Sequence, residues 1–465
     1  MRFLIECTYV YEHPQDNSGI QRVVRNIVNN LKQINASAEC IPVILKNGKV
    51  YRVTQLTPPS KDRGVASMQT WLSQNHDRCA RLRNRLWLSY AKRERQWPFH
   101  NAPLLRFCLR QCYRALSASL AIPQKLLALV SLNYVDQSRA IELECHAGDT
   151  LVLLDSSWHA DFFSVAEGLK AKGVGIVSVI YDLIPLTHPQ FCDEGLVRVF
   201  EQWFDWVIRT ADGFIAISET ISNQVQTEAQ WRLGREIAAA RWFDHFHLGS
   251  ELDQANPAAV VRQDVQQMCK KRSVYLMVST IEPRKNHAYL LKAFEALWAE
   301  GDEVALCFVG KIGWKTQELI DRIVNHPELG KRLFMFNDLS DRELEYCYSN
   351  SKALVFPSFV EGFGLPLVEA MQRGLPAMAS DIPVFREIGG ESMAYFGLSE
   401  PETLCRLVRT YENTGIFPAA KSLKEWRWLS WKDSAEQLMA RITYRTAQNS
   451  QPQATPGQDA DFGRV

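Results

Sequence analysis

Short apolar runs punctuate this chain, and polar, helix-patterned stretches separate them. Residues 1–10 carry Phe3-Leu4-Ile5 in a run of strand length, and a loop follows from His13 to Ser18. Val23, Val24, Ile27, Val28 and Leu31 then recur at helical spacing, which predicts a helix over 20–31. Asp149 to Leu154, Gly175 to Tyr181 and Gly213 to Ser218 repeat the strand-length pattern, with helix-like segments between them. Alternation of this kind predicts an α/β fold built on a parallel sheet.

After Leu248-Gly249 the pattern restarts. Strands are predicted over 273–278, 304–309, 334–336 and 354–356. A helix is predicted over 288–299, with Leu290, Leu291, Phe294 and Leu297 inward, and another over 365–371. The chain therefore reads as two α/β halves, 1–250 and 251–447, followed by a polar tail over 448–465 that predicts disorder. Phe200, Trp203, Phe204 and Trp206 follow helical spacing and read as core.

One segment breaks this rhythm. Lys61 to Lys125 holds thirteen Lys or Arg against three acids, a local excess of +10, while the whole chain is balanced at +1. Trp71, Leu72, Leu82, Leu86, Trp87 and Leu88 are interleaved with these cations, so about 61–135 reads as a basic helical insertion in the first half. Two readings stay open: a solvated basic face, or a surface for anionic lipid headgroups. No nucleic-acid motif accompanies the charge, and the overall balance excludes a globally basic nucleic-acid binder.

The eleven cysteines are scattered and form no CxxC, which fits a reducing compartment better than a disulfide framework. Glu6 cuts short the first apolar run, so no signal peptide is expected. No stretch of about 18 uninterrupted apolar residues exists, and the nearest candidate, Ala115 to Val135, is interrupted by Pro123-Gln124-Lys125. The expected place is the cytoplasm, with a peripheral station at the inner face of the cell membrane. The histidines and cysteines show no zinc spacing, no metal is expected, and His245 and His247 read as packing residues.

Chemistry concentrates in three stretches. Phe356 to Ala370 reads FPSFVEGFGLPLVEA: Gly362 and Gly364 let the backbone approach a ligand, and Pro366 suits a first helical turn. Glu361 then lies in a loop and Glu369 on the helix, with free N–H groups between them for an anionic ligand. Arg284 and Lys285 follow a strand within Ser279 to Asn286, where a fork and a point charge suit a diphosphate. Gly19 stands between the first strand and the first helix, where a phosphate can approach the helix start.

In these stretches the sequence resembles family 4 of the nucleotide-sugar glycosyltransferases, strongly across 273–396 and more weakly over 1–30 and 175–250. EGFGLPLVEA is similar to that family's E-x7-E signature. STIEPRKNHAYLL, VGKIGWK and DIPVFREIGG look like bacterial mannosyltransferases of polysaccharide and O-antigen assembly. The resemblance implies the GT-B architecture, two Rossmann-like domains facing a cleft, with residues 1–250 as the acceptor domain and 251–447 as the donor domain. It implies retention of anomeric configuration, no required metal, and a nucleotide-sugar donor with a glycan or lipid-linked acceptor. GDP-mannose is the donor favoured, with UDP-sugars and other nucleotide sugars as alternatives.

Carried across, Arg284 and Lys285 hold the donor diphosphate and Glu361 meets the sugar hydroxyls, helped by the N–H groups of Gly362, Phe363 and Gly364. Glu369 takes the ribose, Phe336, Asn337 and Asp338 flank the base, and Gly19 closes over the phosphates. The resemblance departs at one point: where many relatives carry a His facing the donor sugar, this chain has Tyr181-Asp182, with His188 nearby, and Asp182 is assigned to the acceptor or sugar. A nicotinamide enzyme would need GxGxxG after a strand, which the first loop lacks. A non-catalytic scaffold on a degenerate transferase fold would be expected to lose Arg284, Lys285, Glu361 or Glu369, and all four are present.

Overall fold

A computed structural model describes residues 1–14, 16, 19–34, 38–56, 75, 78–79, 82–83, 86, 89–90, 93, 102–133, 135–159, 162–251 and 260–449, apart from the side chains of 124, 127–133, 159 and 449. Most of 61–101 and the tail from 450 onward therefore lie outside the described residues, and so do the expectations that fall there.

Fourteen strands are described: β1 (Arg2–Glu6), β2 (Glu39–Lys46), β3 (Lys49–Val53), β4 (Ala140–Glu142), β5 (Thr150–Leu153), β6 (Gly175–Ile180), β7 (Gly213–Ala216), β8 (Trp242–His245), β9 (Val274–Val278), β10 (Ala305–Val309), β11 (Leu333–Phe336), β12 (Ala353–Phe356), β13 (Ala377–Ser380) and β14 (Ala394–Phe396). They make an eight-stranded sheet of order β4-β3-β2-β1-β5-β6-β7-β8 and a six-stranded sheet of order β11-β10-β9-β12-β13-β14. By contact the chain divides into two compact units, Met1–Val28 with Glu39–Ile176, and Asn29–Ala38 with Val177–Val465.

In the first unit β1 pairs parallel with β2 and β5. Its strand is buried along Phe3, Leu4 and Ile5, as a strand covered on both faces requires. The helix Gly19–Asn30 buries Val23, Val24, Ile27 and Val28, the predicted face. β2 and β3 form an antiparallel hairpin that the periodicity does not reveal. Its turn is Asn47-Gly48, with φ of 52° and 76°, the pairing that favours a two-residue turn matched to strand twist. The helix Pro103–Asn133 runs through Pro123 without ending there. Among the described residues no helix is long and apolar enough to cross a membrane.

In the second unit β7 pairs parallel with β6 and β8, and the second sheet is parallel at all five of its pairings. The later predicted strands of both halves appear within a residue or two of their expected bounds, and β8, β13 and β14 add to them. The run expected over 1–10 is shorter: β1 ends at Glu6, and Thr8–Glu12 turns into a helix. Tyr275, Met277, Leu306, Phe308 and Val355 pack against Leu290, Leu291, Phe294 and Leu297 of the helix His287–Ala299. Phe200, Trp203 and Phe204 are buried core, as their spacing predicts, while Trp206, expected with them, is only half-buried.

Gly213 sits opposite Trp242 across β7 and β8, and a Cβ there would come within 1.9 Å of the indole. The ring lies over the bare strand, filling the space a side chain would take. Gly213→Val is expected to cost about 1–3 kcal/mol through overpacking, read as a lower denaturation midpoint with an unchanged slope.

Candidate active site

Parallel strands carry their ligand sites at their carboxyl ends, and the second sheet places its charged residues there. After β9 the chain turns once through Pro283–Lys285, takes a left-handed residue at Asn286 (φ 60°) and enters the helix His287–Ala299. Beyond β12 lies the loop to Gly364, whose φ of 115° starts the helix Leu365–Gln372, with Pro366 in its first turn. The backbone N–H of Phe359 donates to the Arg284 carbonyl at 2.9 Å, fastening one loop to the other.

Four of the expected residues come together here. Arg284 Nη1 donates to Glu361 Oε2 at 2.7 Å and, more weakly, to the Val360 carbonyl at 3.3 Å. Lys285 Nζ donates to Glu361 Oε1, which also accepts from Ser358 Oγ at 2.8 Å. Glu282, a residue that sequence reasoning passed over, lies 2.7 Å from Arg284 Nε. Its position two before the Arg was visible, but nothing in the pattern marked it as buried. Asp182 stands at the end of β6 close enough to feel Arg284, Lys285 and Glu361, and its Oδ1 accepts from Ile184 N–H at 3.0 Å.

Two cations thus face three carboxylates in a largely buried setting, and the carboxylates differ. Burial works to raise the Glu361 carboxyl, but Arg284 and Lys285 overcome it and hold it at about 2. Burial wins at Asp182 and at Glu282, whose carboxyls stay above their ordinary values despite Arg284. Burial, reinforced by the adjacent guanidinium, also lowers the Lys285 ammonium. Glu361 is therefore the fixed anion of the cluster, and Asp182 and Glu282 are the carboxylates that take protons first.

The loop between the two glutamates is tightly seated. A Cβ on Gly362 would meet the Tyr181 carbonyl oxygen at 2.1 Å and Asp182 Cβ at 3.0 Å, so only glycine fits beside the β6 end. Ser218 Oγ donates to the Gly362 carbonyl at 3.0 Å while accepting from Ile221 N–H, which caps the helix Glu219–Leu233. Phe363 is buried and lies against His247 and Trp428.

The remaining expected residues have partners of their own or sit on other elements. Glu369 is buried on the helix Leu365–Gln372 and accepts from Tyr348 Oη at 2.8 Å. Phe336 ends β11 and Asn337 and Asp338 follow it, where Arg262 bonds Asp338 at 3.1 Å and lies over the Phe336 ring at 5.7 Å from its centroid. Gly19 heads the helix Gly19–Asn30 in the first unit.

His245, His247 and Glu387 place their ligand atoms within 4.8 Å of one another, a spacing a metal ion could use. The carboxylate is nevertheless engaged four times, by Glu219 N–H at 2.7 Å, Thr220 N–H at 3.0 Å, Thr220 Oγ1 at 2.7 Å and His247 Nε2 at 2.8 Å. Burial opposes the charge on Glu387, but these donors hold its carboxyl at about 2. The group reads as a hydrogen-bonded clamp on the start of a helix.

Residues 263–397 match the family described as glycosyl transferases group 1. This stretch is a group 1 glycosyltransferase domain. The serotype-specific mannosyltransferase WbdA of Escherichia coli is 34% identical over 304 residues, covering 63% of this chain and 37% of that protein. O-antigen chain mannosyltransferase B of Escherichia coli is 24% identical over 217 residues, covering 46% of this chain and 55% of its own length. The chain thus spans between about a third and about half of the length of these curated relatives. Among solved structures, sucrose-phosphate synthase (tll1590) from Thermosynechococcus elongatus aligns with a TM-score of 0.52 at 15% identity, covering 97% of this chain and all of that one. That likeness is one of fold, the GT-B architecture of two parallel-sheet α/β domains.

Glu361→Ala would strand Arg284 and Lys285 without their shared anion, and the expected loss is about 3–5 kcal/mol. The sign with pH follows from the lowered carboxyl. The stabilisation by Glu361 is complete above its ordinary value of 4.5 and fades as pH falls toward about 2. Urea titrations from pH 7 downward should therefore show the gap between wild type and Glu361→Ala closing below 4.5; a gap that persists at pH 2 would contradict the assignment.

Proposed function

We propose that this chain is a retaining hexosyltransferase of bacterial surface polysaccharide synthesis. It moves a sugar from a nucleotide-sugar donor, best identified as GDP-mannose, to a glycan or lipid-linked acceptor. The observation that carries the proposal is the meeting of Arg284, Lys285 and Glu361 at the ends of β9 and β12 inside a group 1 glycosyltransferase domain. The choice of mannose draws its support from the names of the relatives.

In this reading residues 251–447 form the donor domain and 1–250 the acceptor domain. A diphosphate needs cations set at fixed positions, and Arg284 and Lys285 are held by Glu361 and Glu282 before any donor arrives. They neutralise the departing nucleotide. Glu361 orients the donor sugar through its hydroxyls, and the N–H groups of Gly362, Phe363 and Gly364 line the same loop. Glu369 takes the ribose hydroxyls, Phe336, Asn337 and Asp338 flank the base, and Gly19 closes on the phosphates. Asp182, whose carboxyl is raised by burial, meets the sugar or acceptor where relatives have His. A phosphate oxygen of the donor assists deprotonation of the acceptor hydroxyl, so positioning and electrostatics supply the rate, and no metal is required. The product would extend a glycan at the inner face of the cell membrane.

Calorimetric titration with GDP, UDP, ADP and dTDP, each with and without EDTA, tests the donor. Selective binding of GDP that EDTA leaves unchanged is the expected result. Binding of UDP alone would replace the donor, and binding of none would favour a scaffold. Arg284→Ala with Lys285→Ala should weaken nucleotide affinity by about a hundredfold or more, since two charge-assisted contacts are lost. Glu361→Gln, kept folded at low temperature, should lower transfer from GDP-mannose by about a hundredfold while leaving nucleotide affinity within about threefold. Full transfer by that variant would remove Glu361 from the site.

A further inference from the structure

The helix Pro103–Asn133 carries an apolar stripe on the side opposite its buried positions. Of the twenty large hydrophobic side chains exposed among the described residues, six belong to its first 24 positions: Leu104, Leu105, Phe107, Leu116, Ile122 and Leu126. Leu104 is 81% exposed, Ile122 63% and Leu126 57%. At roughly 100° per residue these three fall within about 40° of one another around the axis, together with Cys108 and Ala115. The buried positions of the same helix, Tyr113 and Ser117, lie roughly opposite. That opposite face is the attached one. Tyr113 Oη lies 3.1 Å from Ser89 Oγ, and the Tyr113 ring lies 5.4 Å from that of Tyr90.

Charge follows the same geometry. Arg110, Arg114 and Lys125 are exposed and fall along one flank of the stripe, within about 60° of each other by the same helical spacing. The helix contains no Asp or Glu. An exposed apolar stripe with a cationic flank and no acid is the pattern of a helix lying in a membrane interface, with its cations reaching the headgroups. Pairing with a second copy through this face would bring two cation rows together with no carboxylate to offset them.

From this we infer that the outward face of the helix Pro103–Asn133 docks the protein on an anionic lipid bilayer, with Leu104, Ile122 and Leu126 in the apolar boundary and Arg110, Arg114 and Lys125 on the headgroups. The surface goes beyond the transferase reading and does not depend on it. The near-zero charge of the whole chain means that this local face, and not the net charge, selects the bilayer.

The test is co-sedimentation of the full chain with vesicles of phosphatidylcholine alone, or of equal parts phosphatidylcholine and phosphatidylglycerol, at low and high salt. Binding to the mixed vesicles that falls with salt, and little binding to the neutral ones, is expected. Arg110→Glu with Arg114→Glu and Lys125→Glu, and separately Leu104→Ser with Ile122→Ser and Leu126→Ser, should each weaken binding about tenfold or more. Nucleotide affinity and the thermal midpoint, measured on the same variants, should stay unchanged, which separates loss of docking from misfolding and from failure of the transferase proposal. Absence of wild-type binding to anionic vesicles, or equal binding by both variants, would overturn the inference. So would a self-association in the ultracentrifuge that the Ser variant abolishes in a chain that ignores lipid.

Discussion

The carboxylate of Glu361 is the interaction on which the second sheet's carboxyl edge depends. Arg284 and Lys285 lie in a setting that penalises charge, and the anion that compensates both comes from 77 and 76 residues further along the chain. It is delivered by a different strand end, and the two loops are fastened by main-chain contact as well as by charge. Without that delivery Lys285 would sit beside Arg284 with its main anion gone, and the burial and neighbouring charge that already lower its ammonium would act with less opposition.

The same constraint shapes the loop around it. Glu361 can reach both cations only if the following residues pass close under the end of β6, and this is why position 362 has no side chain. Ser218 holds that passage by its carbonyl, and Ser380 Oγ holds the Ser358 carbonyl at 2.6 Å from β13. Three strand ends, those of β7, β9 and β13, thus converge on one loop. Rigid support of this kind suits the proposed transfer, which would need its polar groups in place before the reacting bond changes.

A second polar clamp, at Glu387, fastens the start of the helix Glu219–Leu233 to the helix Pro383–Gly389. Its donors are two backbone N–H groups, a hydroxyl and a histidine, a set that satisfies the orphan groups of a helix start. This explains the DIPVFREIGG stretch in physical terms: its Glu serves the fold, and its neighbours Val384, Phe385 and Ile388 are core.

Much of this protein was legible along the chain. Apolar runs such as Val304 to Val309 and Gly175 to Tyr181 are strands because a parallel strand covered on both faces must be apolar throughout, and that rule acts locally. The E-x7-E segment announced its loop and helix start because glycine and proline act through the residue's own backbone. The strand hairpin at Asn47-Gly48 was also written locally, in a dipeptide that periodicity alone does not weigh. What only the tertiary structure decided was partnership and burial. Nothing in Ile281-Glu282-Pro283-Arg284 says that Glu282 is buried against Arg284, or that Arg284 shares Glu361 with Lys285. Nor does the sequence say which side of the helix Pro103–Asn133 is covered, since its apolar residues spread around much of the axis and packing at Tyr113 covers only the side opposite Leu104, Ile122 and Leu126. Charge pairing and burial depend on which distant segments meet, and that meeting is fixed by the sheet order, which no local pattern encodes.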